Sequence, residues 1–321
     1  LQELGRAACP APFRDAVLAN LALSTVATEA RDLLAALHAG EIFPCVSFSD
    51  ADPDPAAGGI RIDHKHVDGH IAFVDSGLAA SHFLVFVSDC SRAAIVPAAA
   101  PGVEVHATRA MGTEGLAKVE FKQAPAQVVD FDGARLKDLL SVSRLCYAAR
   151  AWGAADRAFE LVVEYVKDRK QFGQPVGRFQ AIQHKLADNL IALTGIRLGL
   201  DNAADHFDQR SPHWRNFAAA VWAYSNRALR RVTLETHHAF GAIGYAEEHE
   251  APRHFKRVHL DVARHGGARP AREELADRYL GEQSNEFPQF DLGDAGNAFR
   301  KEVRAWLAKH PRFHMHFTPT G

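Results

Sequence analysis

Histidine and cysteine are two of the side-chain types in this 321-residue chain that could do proton-transfer or metal chemistry. There are 18 histidines and four cysteines, but no H-E-x-x-H run and no C-x-x-C pair occurs. The cysteines, Cys9, Cys45, Cys90 and Cys146, are scattered, so they predict reduced thiols rather than a disulfide framework or a zinc site. We expect no structural metal. A histidine can act as a base because its unperturbed pKa is near 6.5, and His265 is the candidate considered below.

The composition excludes several classes of function. The chain is 47% hydrophobic and 24% charged with a net charge of −2, and no basic stripe interleaved with aromatic residues marks a nucleic-acid surface. The longest apolar runs, such as residues 83–87, fall far short of the roughly 20 residues that span a bilayer. We therefore expect a cytoplasmic protein without nucleic-acid partners or a membrane span.

The elements that must position these residues change character along the chain. Residues 1–38 are rich in Ala and Leu and predict short helices. Residues 39–130 contain seven short β-rich runs separated by turn residues, which predict a small sandwich or barrel. The runs are Phe43–Ser47, Ile60–Ile62, His70–Val74, His82–Val87, Ala94–Val96, Val103–Ala107 and Lys118–Phe121.

A helical period begins near Gly133 and predicts four long helices joined by short loops. The fold class is therefore α+β, with short amino-terminal helices, a small β-domain and a four-helix bundle over residues 131–281. Residues 282–321 form an extension with one amphipathic helix. Its apolar stripe of Phe299, Val303, Trp306 and Leu307 should be buried on this chain or on a partner.

Two stretches of the bundle carry a family resemblance. Asp168–Asp188, which reads DRKQFGQPVGRFQAIQHKLAD, resembles the R-x-Q-F-G-x-P-(I/V)-x-x-F-Q-x-I-Q-x-x-L-A-D run of the acyl-CoA dehydrogenases. His238–His249 resembles that family's Q-x-x-G-G-x-G-(F/Y)-x-x-E-H segment, with His238 replacing Gln and Ala242 replacing the middle Gly. The chain resembles the family over about residues 1–280.

The two termini depart from the family's usual order. The first helices of the family's amino-terminal domain are missing, and the chain begins abruptly at Leu1. The run from Ala298 onward, AFRKEVRAWLA, resembles the family's first helix although it follows the bundle. That helix either substitutes for the missing one or belongs to a tandem arrangement that is cut short.

The resemblance implies oxidation of an acyl-CoA thioester by FAD, in which a carboxylate removes the α-proton while the flavin accepts a hydride. The two positions where the family carries this carboxylate fall on His265 and Ser143. Neither is a carboxylate. His265 is the remaining candidate base, and Asp261, one turn earlier, is a weaker candidate that is more simply interpreted as a solvated or ion-paired residue.

The family's own-chain flavin turn, W-I-(T/S)-N-G, corresponds here to Phe73–Gly77, which reads FVDSG. The preceding acidic loop lacks the family's T-E-P and G-S-D motifs. Asp50, Asp52, Asp54 and Asp75 would place negative charge where the cofactor needs neutral or positive partners, so own-chain flavin binding is doubtful. A solvated acidic loop is the simpler interpretation of these aspartates.

The segments that grip the ADP half of a neighbouring subunit's FAD are retained. By this resemblance Arg169 would pair with the pyrophosphate and Phe172 would give an apolar ledge. Gly241 and Gly244 would allow close backbone approach with free amides. Gln180 and His238 complete the expected cofactor-binding set.

Three hypotheses follow. The first is an auxiliary subunit of a hetero-oligomeric acyl-CoA dehydrogenase that clasps the FAD of a paralogous catalytic chain; base-less relatives of this kind occur among steroid-side-chain enzymes of the family. The second is a self-sufficient homomeric dehydrogenase that uses His265 or another base. The third is a non-catalytic scaffold or acyl-CoA-binding protein.

Overall fold

The structure is a computed structural model that describes residues 1–9, 13–26, 30–48, 59–87, 92–109, 116–281 and 292–310. Residues 1–275 form one compact unit and residues 276–321 a second. The helices are α1 (Gln2–Arg6), α2 (Phe13–Thr25), α3 (Arg31–Ala39), α4 (Gly133–Asp168), α5 (Gln180–Asp208), α6 (Trp214–Phe240), α7 (Ala251–Val262), α8 (Arg269–Leu280) and α9 (Gly293–Lys309). The strands are β1 (Pro44–Phe48), β2 (Arg61–Ile62), β3 (His66–Val74), β4 (His82–Val87), β5 (Arg92–Pro97), β6 (Val103–Ala107), β7 (Ala117–Pro125), β8 (Gln127–Asp130), β9 (Lys170–Gln171) and β10 (Gln174–Pro175).

The β-region is a sandwich of two four-stranded sheets, ordered β1-β4-β5-β8 and β2-β3-β7-β6. Alternating side chains of β3, β4 and β7 fill the space between the sheets, with Val67, Phe83, Val85, Val119 and Phe121 all buried. The outer face of the first sheet packs on α2 and on the start of α4. All seven predicted strands are present. β8 was not predicted.

The bundle of α4, α5, α6 and α7 has the predicted four-helix arrangement. Asp132 caps α4 by accepting a hydrogen bond from the Ala134 amide at 2.9 Å. Small residues on α4 allow the neighbouring helices to pack closely, and Trp222 of α6 is completely buried among them. α8 was not predicted as a separate helix. It follows a sharp turn at residues 264–266.

The amino-terminal helix α1 crosses α4 at very close range. A Cβ atom on Gly5 would lie 2.0 Å from the Arg150 carbonyl oxygen, and one on Gly153 would lie 2.0 Å from the Gln2 carbonyl oxygen. Only glycine fits at these two positions. Arg6 then reaches Asp156 and Glu160, which fixes the end of α1 on the bundle.

Within the second unit, most of the predicted α9 stripe is exposed. Phe299, Val303 and Trp306 are exposed to 66%, 37% and 47%, and Leu307 is half-buried. The burial of this stripe on this chain or on a partner stays a prediction.

Several smaller expectations can be placed on the structure. Cys45 and Cys146 are buried free thiols and Cys9 is half-buried, whereas Cys90 and the aspartates at 50, 52 and 54 lie outside the described residues. None of the described helices is long and apolar enough to cross a membrane. The side chains of Glu104, His106 and Glu120 lie close enough together at the surface to be possible metal ligands. The Lys122 ammonium group already forms an ion pair with this group, since its Nζ is 2.7 Å from Glu104.

Candidate functional site

A cavity of about 300 Å³ lies where α2, the β-sandwich and the bundle meet. Its walls come from β1, β3, α4 and the end of α7, and most of its lining is apolar. The polar lining residues are Arg14, Ser47, Asp75, Tyr147, Arg264 and His265. One of the two predicted base positions, His265, therefore faces the same cavity as the predicted flavin turn.

The two base positions contact each other. His265 Nε2 lies 2.8 Å from Ser143 Oγ. The imidazole is only 8% exposed and packs against Tyr147 and Phe48 at ring distances of 5.5 and 5.6 Å. His265 also has φ of 52°, a left-handed conformation that is strained for a residue with a side chain. The fold therefore forces this ring into the cavity wall.

His265 is a neutral imidazole at pH 7. Burial, together with the charges of Arg14, Arg144 and Arg264, holds the pKa of His265 well below its ordinary value. Arg14 Nη1 also lies 3.5 Å from Ser143 Oγ. The serine hydroxyl can donate to His265 Nε2 or accept from it, and in both cases it holds this ring nitrogen in the wall of the cavity.

Asp75 is the largest departure from the sequence interpretation. It is 9% exposed, and Arg264 Nη2 and Arg150 Nη2 lie 2.9 and 3.3 Å from its carboxylate. Burial alone would raise the pKa of Asp75. The charges of the surrounding Arg264, Arg150 and Arg14 nevertheless hold that pKa well below its usual range. The solvated-loop interpretation is therefore wrong for Asp75, because the bundle supplies arginines that the local sequence does not reveal.

Asp261 is ion-paired rather than solvated. It is completely buried, and Arg150 binds it through Nε at 2.8 Å and Nη2 at 2.6 Å. Arg14 in turn bonds Asp15 and the hydroxyl of Tyr147, and burial raises the pKa of that phenol. Sequence analysis did not single out the site residues Arg14, Tyr147, Arg150 and Arg264. The one local signal is that Arg14 and Arg150 each place a charge in a largely apolar helix face.

The predicted cofactor-binding residues lie at another part of the bundle. Arg169 is the C-cap residue of α4. Its amide donates a hydrogen bond to the Tyr165 carbonyl at 2.9 Å, and its carbonyl accepts one from the Val176 amide at 2.8 Å. Its side chain is exposed and makes no ion pair with any residue that the structure describes. The backbone is held at both sides while the guanidinium stays available to a ligand.

Phe172 stands at the tip of the β9–β10 hairpin. It is 92% exposed and has φ of 52°, whereas Gly173 beside it has φ of 80°, and a Cβ atom on Gly173 would meet no described atom within 4 Å. Its one described aromatic contact is an edge-on approach to the ring of Phe179 at 6.2 Å. The predicted role of Phe172 as an apolar ledge for a cofactor is compatible with this exposure and stays a prediction.

Gln180 and His238 face solvent near the same hairpin. Gln180 begins α5 and is exposed. Lys185 Nζ lies 2.9 Å from His238 Nδ1 and 2.7 Å from Glu235. Because the ammonium can only donate, His238 Nδ1 accepts and its Nε2 carries the hydrogen, which leaves His238 able to donate to a ligand.

The two glycines have different places. Gly241 is the C-cap residue of α6, with φ of 66°, and its amide donates to the His237 and His238 carbonyls. Contrary to the expectation, this amide is therefore not free to bind an anion. A Cβ atom on Gly244 would lie 2.9 Å from the Phe240 Cβ. The absence of a side chain at Gly244 therefore serves packing within this chain.

The cavity and the β9–β10 hairpin lie far apart along α4. Tyr165 and Phe240, with ring centroids 5.3 Å apart, join the hairpin end of α4 to the end of α6. At about 1.5 Å per residue, Ser143 and Arg169 are separated by about 39 Å along α4. A single dinucleotide cannot reach from the cavity of this chain to its own hairpin along that path.

Comparison with known proteins gives consistent matches. The family described as acyl-CoA dehydrogenase, C-terminal domain, matches residues 133–279. Acyl-CoA dehydrogenase IpdE2 of Mycolicibacterium smegmatis is 36% identical over 137 residues, which cover 43% of this chain and 41% of that protein. The protein of the same name from Mycobacterium tuberculosis is 28% identical over 260 residues, covering 81% of this chain and 70% of that one.

A solved structure agrees over more of the fold. The Tcur3481-Tcur3483 steroid ACAD, determined as a variant, superposes with a TM-score of 0.77 and 27% identity over 86% of this chain and 78% of its own. The match to the first IpdE2 spans less than half of that relative's length.

Proposed function

We propose that this chain, which matches the acyl-CoA dehydrogenase C-terminal domain over residues 133–279 and resembles family members over more of its length, is an auxiliary subunit of a hetero-oligomeric acyl-CoA dehydrogenase. A paralogous catalytic chain supplies the base and the flavin-binding strand. This chain holds the ADP half of that partner's FAD and so supports α,β-desaturation of an acyl-CoA thioester.

The observation that carries the proposal is the Ser143–His265 hydrogen bond of 2.8 Å. Both positions where the family places its carboxylate are occupied by neutral groups that hydrogen-bond to each other through His265 Nε2, while His265 Nδ1 is buried with no partner among the described residues. A general base works best when its pKa lies near the operating pH, and the pKa of His265 is held well below that range. This chain is therefore poorly equipped to remove an α-proton.

The cavity of this chain is a poor fit for its own flavin and substrate. Its volume of about 300 Å³ is at the bottom of the roughly 300–1,000 Å³ range of small-molecule sites. A flavin ring and an acyl thioester together need more room. The ionised Asp75, fixed by Arg264 and Arg150, also stands in the family's flavin turn.

The exposed hairpin fits the other half of the cofactor. Arg169 presents a planar set of donors suited to pyrophosphate oxygens, Phe172 presents an apolar face, and His238 presents a donor. When bound, FAD supplies the hydride acceptor of the reaction. The residues of this chain would bind and orient that cofactor while taking no part in proton transfer.

The relatives suggest the substrate class and the partner. The matched steroid ACAD carries two chain names, Tcur3481 and Tcur3483. By analogy, we assign this chain to a steroid-derived acyl-CoA thioester and to a paralogous partner of the same family.

A self-sufficient homomeric enzyme is the second candidate. It is favoured by the left-handed backbone of His265, since strained residues cluster at functional sites. A non-catalytic acyl-CoA-binding protein is the third.

Cofactor content separates these candidates. The chain purified alone should carry little FAD, whereas co-expression with its paralogue should give a yellow complex. A stoichiometric flavoprotein from this chain alone would refute the auxiliary role, and a colourless complex would favour the scaffold.

A further inference from the structure

Three side chains form a short polar chain across the contact between α5 and α6. Lys185 lies on α5, and Glu235 and His238 lie one turn apart on α6. The Nζ atom of Lys185 is 2.7 Å from a Glu235 carboxylate oxygen and 2.9 Å from His238 Nδ1. The ammonium group therefore joins a carboxylate to an imidazole.

Glu235 holds the ammonium group of Lys185 in place. Only 24% of the Glu235 side chain and 36% of the Lys185 side chain are exposed, whereas 64% of the His238 side chain is exposed. An ammonium group that is already paired with a carboxylate loses less freedom when it also donates to a neighbour. His238 is thus the outermost member of the group and the one that a ligand reaches first.

The ammonium group determines which hydrogen bond His238 can offer. Lysine has three donors and no acceptor, so His238 Nδ1 must accept and the ring hydrogen must lie on Nε2. The bond made by one ring nitrogen of a histidine commonly fixes the state of the other in this way. With this arrangement, His238 Nε2 donates one hydrogen bond and accepts none.

This arrangement limits the kind of ligand atom that fits His238. The glutamine that stands here in the resembled family can both donate and accept through its amide, whereas His238 with hydrogen on Nε2 can only donate. An acceptor atom, such as a phosphate oxygen or an unprotonated adenine nitrogen, therefore fits His238. The adenine amino group, which is a donor, does not.

Direct contact of Lys185 with a phosphate is the alternative role for this residue. Two of its three donors already meet Glu235 and His238. To pair with a phosphate through these donors, the ammonium group would have to leave one of its partners. The observed contacts therefore favour a role for Lys185 that acts through His238.

We propose that Lys185, held by Glu235, is a positioning residue for the cofactor. It keeps the ring hydrogen of His238 on Nε2, where that hydrogen meets an acceptor atom on the ADP half of the partner's FAD. The inference rests on the proposed FAD-clasping function. It adds two residues to that function and the chemical type of the cofactor atom that His238 contacts.

The position of the ring hydrogen can be measured without cofactor. Long-range proton–nitrogen NMR spectra of the full chain, labelled with nitrogen-15 at its histidines, distinguish the two forms at about pH 8.5, where an ordinary imidazole is unprotonated. The signal lost in His238→Gln assigns His238. We expect hydrogen on Nε2 alone in the unaltered chain and a mixture in Lys185→Met. A mixture in the unaltered chain, or no change in Lys185→Met, overturns the inference and leaves the FAD-clasping proposal untouched.

FAD retention by the complex with the paralogue tests the second step. Lys185→Met should weaken retention about fivefold, because a hydrogen bond of ordinary strength is lost. The same change should have no effect in the His238→Gln background, because an amide keeps its donor without a partner. Arg231→Met is the matched control, since it breaks the neighbouring α5–α6 ion pair with Asp188, at 3.1 Å, and should leave retention unchanged.

The remaining outcomes separate the inference from the proposed function. An equal loss in the His238→Gln background would show that Lys185 contacts the cofactor itself, and an equal loss in Arg231→Met would show general damage to the helix contact. Both results overturn the positioning role. If Lys185→Met retains FAD while Arg169→Ala releases it, only the inference fails. If Arg169→Ala also retains FAD, the clasping function fails and the inference fails with it.

Discussion

His265 Nε2 and Ser143 Oγ lie 2.8 Å apart, so the two positions at which a family member would carry its catalytic carboxylate are hydrogen-bonded to one another. The pair joins α4 to the turn after α7. It makes this corner of the cavity a structural contact, and the following predictions depend on that assignment.

His265→Gln should leave the activity of the assembled complex unchanged within about twofold. Removal of a true general base typically costs about 10²–10⁴ in rate, so kcat of the complex distinguishes the two roles clearly. A loss of that size, with Ser143→Ala retaining activity, would identify His265 as the base.

The same variant should alter how stability depends on pH. The pKa of His265 is lowered in the folded state, so below about pH 6.5 the unfolded chain binds a proton that the folded chain does not. The free energy of unfolding should therefore fall as the pH drops from 7 to 5. His259, whose pKa is lowered to about 4 by burial, adds to the same trend.

In His265→Gln the slope of unfolding free energy against pH should decrease by at most about 1.4 kcal/mol per pH unit in this range. Urea titrations at several pH values measure it. An unchanged slope would mean that His265 titrates normally in the folded chain.

Arg169→Ala should weaken FAD retention by the complex roughly tenfold or more, because a charge-assisted hydrogen bond is lost. Arg227→Ala is the matched control, since Arg227 is also exposed and lies on α6. Release of FAD on dilution, followed by flavin fluorescence, reports the difference. Identical retention in the two variants would make Arg169 a plain surface cation.

Phe172→Ala should separate binding from stability. The side chain is 92% exposed, so the free energy of unfolding of the isolated chain should change by less than about 0.5 kcal/mol. FAD retention by the complex should nevertheless fall. A clear loss of stability in the isolated chain would show that Phe172 packs on this chain itself.

The sequence predicts the elements well and the cavity poorly, for a physical reason. Periodicity and turn residues are local, so strands such as β4 and helices such as α4 follow from neighbouring residues. The charge network joins Arg14, Asp75, Arg150 and Arg264, which are distant in sequence and share no spacing. Only tertiary packing brings them together, and Asp75 was misread for that reason.

The family-like segments were easier to interpret. Arg169 and Phe172 fall in one contiguous run whose resemblance does not depend on long-range contacts. Their exposure agrees with an intermolecular role, which stays a prediction. The amide of Gly241 shows the limit of a motif, because its donor is used to end α6.

The ratio of FAD to chains in the purified complex tests the central claim most directly. If this chain only clasps a partner's cofactor, quantified flavin absorbance and total protein should give one FAD for each pair of unlike chains. One FAD per chain, so that each pair holds two, would show that this chain binds its own flavin and would contradict the auxiliary role.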